Sequence, residues 1–210
     1  MCIFVEQILN KPIDSNSFVI YSQANNSCIV IDPGTEDNFD LLVFLKEKNL
    51  NPEYVFLTHE HFDHIWGVNK LRKLYPCKIV CSIKCSEKIV EKKKNMSLFY
   101  DQVGFETDPA DILTEDIDCQ MIWNSEIIEF IQAKGHTDAG ICILIDNHLF
   151  TGDTIIRNTK TVTKLPGGSK TKLIETLSDL NFRFSDKNIM VHSGHGNSFW
   201  YSELINQAYI

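Results

Sequence analysis

The chain has 210 residues, of which 43% are hydrophobic, enough to bury the core of one domain and hardly enough for two. Its formal net charge of -8 argues against a long phosphate backbone as partner, since nucleic-acid binding rests on basic footprints and released counterions. No apolar run approaches the roughly 18 residues that a membrane span requires, so a small-molecule substrate is expected, with neither nucleic acid nor membrane as partner.

The N-terminus, MCIFVEQILNKPID, has no basic n-region, long apolar h-region or small-residue cleavage site. Together with seven cysteines, an odd number at irregular spacing, this points to reduced thiols in the cytoplasm. The β-rich runs Phe18 to Tyr21 and Cys28 to Ile31 flank the polar SQANNS and read as a hairpin that Pro33-Gly34 stops. TEDNFDLLVFLKEKNL then predicts a helix, with Thr35 as N-cap candidate, early acids, late lysines and an apolar stripe through Phe39, Leu42 and Leu45. EYVFL is a buried strand that runs into THEHFDH. From Ile65 the chain can turn helical through IWGVNKLRKLY, return as the strand KIVCS and form another helix near IKCSEKIVEKKK.

Glu91 to Asp118 break this alternation with a lysine run, the aromatics Phe99, Tyr100 and Phe105, and an acidic stretch containing Pro109. They are expected to be an insertion or covering segment on a single domain spanning 1–210, the lysines forming a solvated helix end. Beyond them come the strands MIWN and IIEFIQA, the run ICILIDNHLFTGD, the helix SKTKLIETLSDL and the strand NIMVHSG. Mixed strand and helix order of this kind implies a layered α/β architecture.

His59 and His61 are two apart in extended chain and can point to one side, whereas Asp63 and His64 fall at a helix start that can present them to a second ion. A zinc site takes three or four protein ligands, so others must come from elsewhere. His136 in AKGHTDAG, Asp153 in LFTGDT and His195 in VHSGHGN each follow an apolar strand, where a sheet can gather distant segments.

The series THEHFDH, GHT, GDT and GHG resembles the metallo-β-lactamase superfamily of metal-dependent hydrolases, and within it the glyoxalase II-like branch. The resemblance runs from about Ser15 to Trp200 and includes LPGGSKTKLIETLSDL. It implies a four-layer αββα sandwich with metals at the sheet edges. It further implies two divalent ions, zinc expected and iron or manganese the alternatives: His59, His61 and His136 on the first, Asp63, His64 and His195 on the second, and Asp153 on both. Asp138-Ala139 and Ser193 depart from the Pro-Gly and Pro that the family often carries there, which bears on loop stiffness. Only fifteen residues follow His195, so the helical domain with which glyoxalase II enzymes hold glutathione is expected to be missing and glutathione thioesters to bind weakly.

Zinc-bound water has a pKa of about 7 against 15.7 in bulk, and two ions roughly 3.5 to 4 Å apart can hold a hydroxide between them and polarise a carbonyl. The expected reaction is hydrolysis of a thioester or related acyl compound, as in hydroxyacylglutathione hydrolases, with Asp63 and Asp153 as its catalytic carboxylates. A carboxylate at 153 offers one oxygen to each ion. Asp32 in IDPG either hydrogen-bonds a metal-binding histidine from behind or forms a turn. A persulfide dioxygenase of the same superfamily, with one iron on residues matching His59, His136 and Asp153, is the alternative function.

Competing assignments are weaker. His192 could stand in for His195, but the resemblance favours His195; His148, in the turn DNH, is expected to be exposed and inert. Cys77, Cys81 and Cys85 invite an iron–sulfur reading and suit buried small hydrophobes better, because Cys81 lies in a predicted strand. PGGSKT mimics a phosphate loop, yet Ser169 stands where Gly must precede Lys. Phe62, Trp66, Phe199 and Trp200 either wall a pocket or pack in the core, and Arg157 and Lys164 are the basic candidates for a substrate carboxylate.

Overall fold

The computed structural model describes residues 2–34, 37, 39–115 and 118–206, in two compact units, Met1–Leu113 and Thr114–Ile210. In the first unit β1 (Ile3–Leu9), β2 (Asn16–Ser22) and β3 (Ser27–Ile31) pair antiparallel, and β4 (Asn51–Phe56) and β5 (Lys78–Ser82) continue in parallel. With β6 (Ile112–Thr114) they make a six-stranded mixed sheet in the order of the chain. Val19, Ile20, Ile29 and Val30 are all fully buried, so neighbouring residues on both faces of the central strands contribute to the core. Strands of this kind read as unbroken apolar runs, as SFVIY and CIVI do.

The predicted hairpin is β2 and β3, with Phe18 opposite Ile31 and Tyr21 opposite Cys28. The predicted helix is α1 (Phe39–Glu47); Thr35 lies outside the described residues. Its buried pair is Leu41 and Leu45, one turn apart, while Phe39 is 72% exposed, so the stripe expected through Phe39 is corrected by one position. The helical stretch after β4 divides into α2 (Phe62–Ile65) and α3 (Val68–Leu74), and α4 (Ile83–Ile89) starts on Ser82, whose hydroxyl accepts from Cys85 N–H.

The segment after Glu91 is built into this unit. Its short α5 (Ser97–Asp101) leads to β6, and Arg72 fastens the stretch between them by donating to the carbonyls of Asp108 and Pro109 and to the Asp111 carboxylate. Lys92, Lys93 and Lys94 are exposed. Asn95, fully buried, accepts from Phe62 N–H through its carbonyl and bonds Ile89 O, Phe105 O and Ser97 N through its side chain.

In the second unit β7 (Cys119–Trp123), β8 (Glu126–Gln132), β9 (Ile141–Ile145) and β10 (His148–Gly152) form an antiparallel meander. The parallel β11 (Met190–Ser193) and the antiparallel β12 (Phe199–Trp200) complete a second six-stranded mixed sheet. The 15-residue α6 (Lys170–Phe184) is capped by Ser169, which accepts from Lys172 N–H, so PGGSKT is a helix start. Its Leu180 and Phe184 pack with Leu149, Val191 and Phe199. No described helix is long and apolar enough to cross a membrane.

Candidate metal centre

The parallel strands β3 and β4 end side by side, and the first histidine loop grows from that edge. Asp32 N–H bonds Phe56 O at 2.9 Å, placing the Asp32 carboxylate under the loop after β4. Its Oδ1 accepts from Thr58 N–H at 2.8 Å, and its Oδ2 accepts from Thr58 Oγ1 at 2.6 Å and from His64 Nδ1 at 3.0 Å. Having donated to Asp32, the Thr58 hydroxyl can accept from His59 Nδ1, 3.0 Å away. Both imidazoles are thereby held with Nδ1 protonated and Nε2 directed outward as a metal-grade donor. Asp32, His59 and His64 offer donor atoms within 4.8 Å of one another, but that closeness is the hydrogen-bond network itself.

Alternation along the extended stretch separates the side chains as expected. His59 and His61 lie on one side with ring centroids 4.7 Å apart, while Glu60, buried, turns the other way onto Lys88 Nζ at 2.6 Å. His61 is still extended at φ -63, ψ 140; α2 begins behind it and brings His64 Nε2 to 3.5 Å from Asp63 Oδ2.

Buried polar residues from the chain's start brace this loop. Ser15 Oγ donates to Asp63 O and Ser17 Oγ to Asp32 O, both at 2.6 Å, and Asn10 Nδ2 donates to both hydroxyls. Gly34, at φ +54, donates to His64 O and accepts from Gly67 N–H; a Cβ there would come within 2.0 Å of the Asn10 side chain. Sequence reasoning missed Asn10, Ser15, Ser17 and Thr58. Three of them are small hydroxyls whose burial only the structure reveals, and Thr58 alone was signalled by its place directly before His59.

The second unit carries the other candidates on three loops. His136 follows Gly135, where a Cβ would meet Leu173 Cα at 2.5 Å, so only glycine lets this turn approach α6 so closely. Its Nδ1 lies 2.8 Å from the carbonyl of Val162, which leaves Nε2 outward, 3.6 Å from Asp153 Oδ2. His195 Nε2 lies 3.5 Å from the same oxygen. Two ligands bound to one zinc at about 2.0–2.1 Å and tetrahedral angles stand about 3.4 Å apart, so each of these pairs is spaced as neighbours on one ion. Both rings lie nearest the same Asp153 oxygen, Oδ2.

Of the remaining expectations, some hold and others change. His192 bonds Ser198 Oγ and His148 Nδ1 and joins none of the His/Asp groupings of metal-binding spacing. His148 is half-buried and hydrogen-bonded rather than exposed; burial pushes its pKa down, and burial with His148 beside it pushes that of His192 to about 3. Arg157 pairs with Glu203 and lies over the Phe199 ring, so its charge is already engaged, whereas Lys164 is exposed. Phe199 is core and Trp200 is 39% exposed; Trp66 stacks on Phe105 at 5.5 Å and Phe62 contacts Tyr100 at 4.9 Å. Cys77, Cys81 and Cys85 are buried and, like the other four cysteines, free. Burial pushes the thiols of Cys28 and Cys142 up to about 12.

Comparison with known proteins agrees with this chemistry. Residues 10–183 match the metallo-beta-lactamase superfamily. A probable metallo-hydrolase of Methanocaldococcus jannaschii is 29% identical over 204 residues, 90% of this chain and 94% of that one. A hydroxyacylglutathione hydrolase of Vibrio vulnificus is 30% identical over 143 residues, which cover 68% of this chain and 48% of the relative. The crystal structure of the BLEG-1 B3 metallo-beta-lactamase superposes with a TM-score of 0.90 at 25% identity, covering 97% of each chain. The chain belongs to the metallo-beta-lactamase superfamily of metal-dependent enzymes and has its α/β fold of two mixed sheets.

Proposed function

We propose that the chain is a dinuclear metal-dependent hydrolase acting on a thioester or related acyl substrate. His59, His61 and His136 would hold one ion, Asp63, His64 and His195 the other, and Asp153 would serve both. Zinc is the expected ion. The observation that carries the reading is the spacing of donor pairs within each unit: Asp63 with His64 at 3.5 Å, and Asp153 with His136 and His195 at 3.6 and 3.5 Å. Neutral imidazole nitrogen and carboxylate oxygen are the ligands that zinc, iron and manganese share.

When bound, the ions supply Lewis acidity and a water acidic enough to ionise near neutral pH. The chain's own part is orientation. Asp32 acts directly on His64 and through Thr58 on His59, and the Val162 carbonyl fixes His136, so these rings need no rearrangement to present Nε2. The carboxylates of Asp63 and Asp153 offset part of the positive charge of two dications. Acyl hydrolysis is favoured by the hydroxyacylglutathione hydrolase among the relatives. Free cysteines, five of them buried, suit a reducing compartment such as the cytoplasm.

The test is an assay of chelator-stripped protein, reloaded with Zn2+, Mn2+ or Fe2+, against a panel of thioesters, lactones and phosphodiesters. Metal-restored thioester or lactone cleavage is expected. Oxygen uptake with glutathione persulfide by the iron-loaded protein, with no hydrolysis in any metal form, would overturn the reading in favour of a dioxygenase.

A further inference from the structure

His192 is a buried histidine that the proposed metal site does not use, and both its ring nitrogens are committed. Nδ1 lies 2.8 Å from Ser198 Oγ and Nε2 lies 2.9 Å from His148 Nδ1. His192 sits opposite Phe150 in the parallel β10–β11 pair, and its ring stacks on Phe150 at 4.7 Å and on His148 at 5.1 Å between centroids. A neutral imidazole has one donor and one acceptor nitrogen, so two such bonds saturate it.

Between His192 and Ser198 the chain leaves β11, turns through Gly194, His195 and Gly196, and returns toward β12. Gly196 at the tip is exposed, and a Cβ there, at φ +78, would meet nothing within 4 Å. Its base is tied by the His192–Ser198 bond across the two ends and by Gly194 N–H bonding Gly152 O at 2.8 Å, next to Asp153.

We infer that His192 is a positioning residue that clamps the base of loop 193–197, through Ser198 on one side and His148 on the other, and so holds His195 toward Asp153. The consequence for metal binding rests on the dinuclear reading; the clamp itself does not. His192→Phe keeps the stacking and removes both bonds, Ser198→Ala removes one, and Ser198→Thr keeps the hydroxyl.

Two measurements on the full chain separate the clamp from general packing. In metal-free protein, amide exchange at Gly194 and its loop neighbours should quicken roughly 5- to 10-fold in His192→Phe and Ser198→Ala, with β8 and β9 unchanged and Ser198→Thr near the parent. In Zn2+ titrations the same two variants should weaken one site about 10- to 100-fold and spare the other, and Ser198→Ala should add nothing to His195→Ala. Unchanged loop exchange in both variants overturns the clamp. So does faster exchange spread evenly over the whole unit, which is what a merely structural histidine would produce. If the loop loosens as expected but the parent binds a single ion, the clamp stands and the dinuclear reading falls.

Discussion

Asp32 receives Thr58 twice and His64 once, so a single carboxylate orients one histidine directly and a second through a hydroxyl. It also occupies a left-handed turn position at φ +49, which asparagine tolerates nearly as well as aspartate. Asp32→Asn therefore separates the two roles the sequence left open, keeping the turn and removing the charge. Zinc affinity, read by competition with a chromophoric chelator, should fall about 10- to 100-fold, while the metal-free protein loses no more than about 1–3 kcal/mol, because the amide NH2 replaces one of the two accepting oxygens. Unchanged affinity would leave Asp32 as a turn former only. His192 supports a second prediction at this scale. Its pKa lies at about 3 in the folded chain against 6.5 for an unperturbed histidine, so only the unfolded chain takes up this proton between those values. The group costs nothing above pH 6.5 and progressively destabilises the fold as pH falls from 6.5 toward 3, by on the order of 5 kcal/mol in full. The melting temperature of metal-free His192→Phe should fall less steeply than the parent's from pH 6.5 to 4.5; parallel curves would refute the assignment.

The elements nearest the chemistry are short and held by close approaches. Gly135 lets the His136 turn lie against α6, with its carbonyl accepting Ser169 N–H at 2.8 Å. Gly135→Ala forces that turn and the helix apart and should cost about 1–3 kcal/mol of stability, with weaker metal binding, measured by denaturant unfolding and chelator competition. Asn95→Ala strands the Ser97 N–H and leaves the Phe105 carbonyl with the Ser97 hydroxyl alone as side-chain donor, and about 1–3 kcal/mol should be lost there too. Elements with one strong periodic signal were legible in the sequence: the β2–β3 hairpin, β4, β5 and α6. Glu91 to Asp118 were not, because their order comes from Asn95 and Arg72 reaching backbone carbonyls far along the chain, which no local pattern records.

At the scale of the molecule, the histidine and aspartate candidates were legible because each follows an apolar strand, and in both sheets the strand ends carry them. The strand order was not, since pairings such as β10 with β11 span some forty residues of intervening chain and depend on packing rather than on local pattern. Nor was the fate of Arg157, whose partner Glu203 lies beyond the last motif. The central claim is that these loops hold two ions on separable ligand sets, and elemental analysis of protein purified without chelator tests it most directly, in the parent and in Asp63→Ala. The account predicts close to two transition-metal ions per parent chain and close to one in Asp63→Ala, with His59, His61 and His136 retaining theirs. A single tightly held iron in the parent, with no second ion taken up on reconstitution, or two ions persisting in Asp63→Ala, would contradict it.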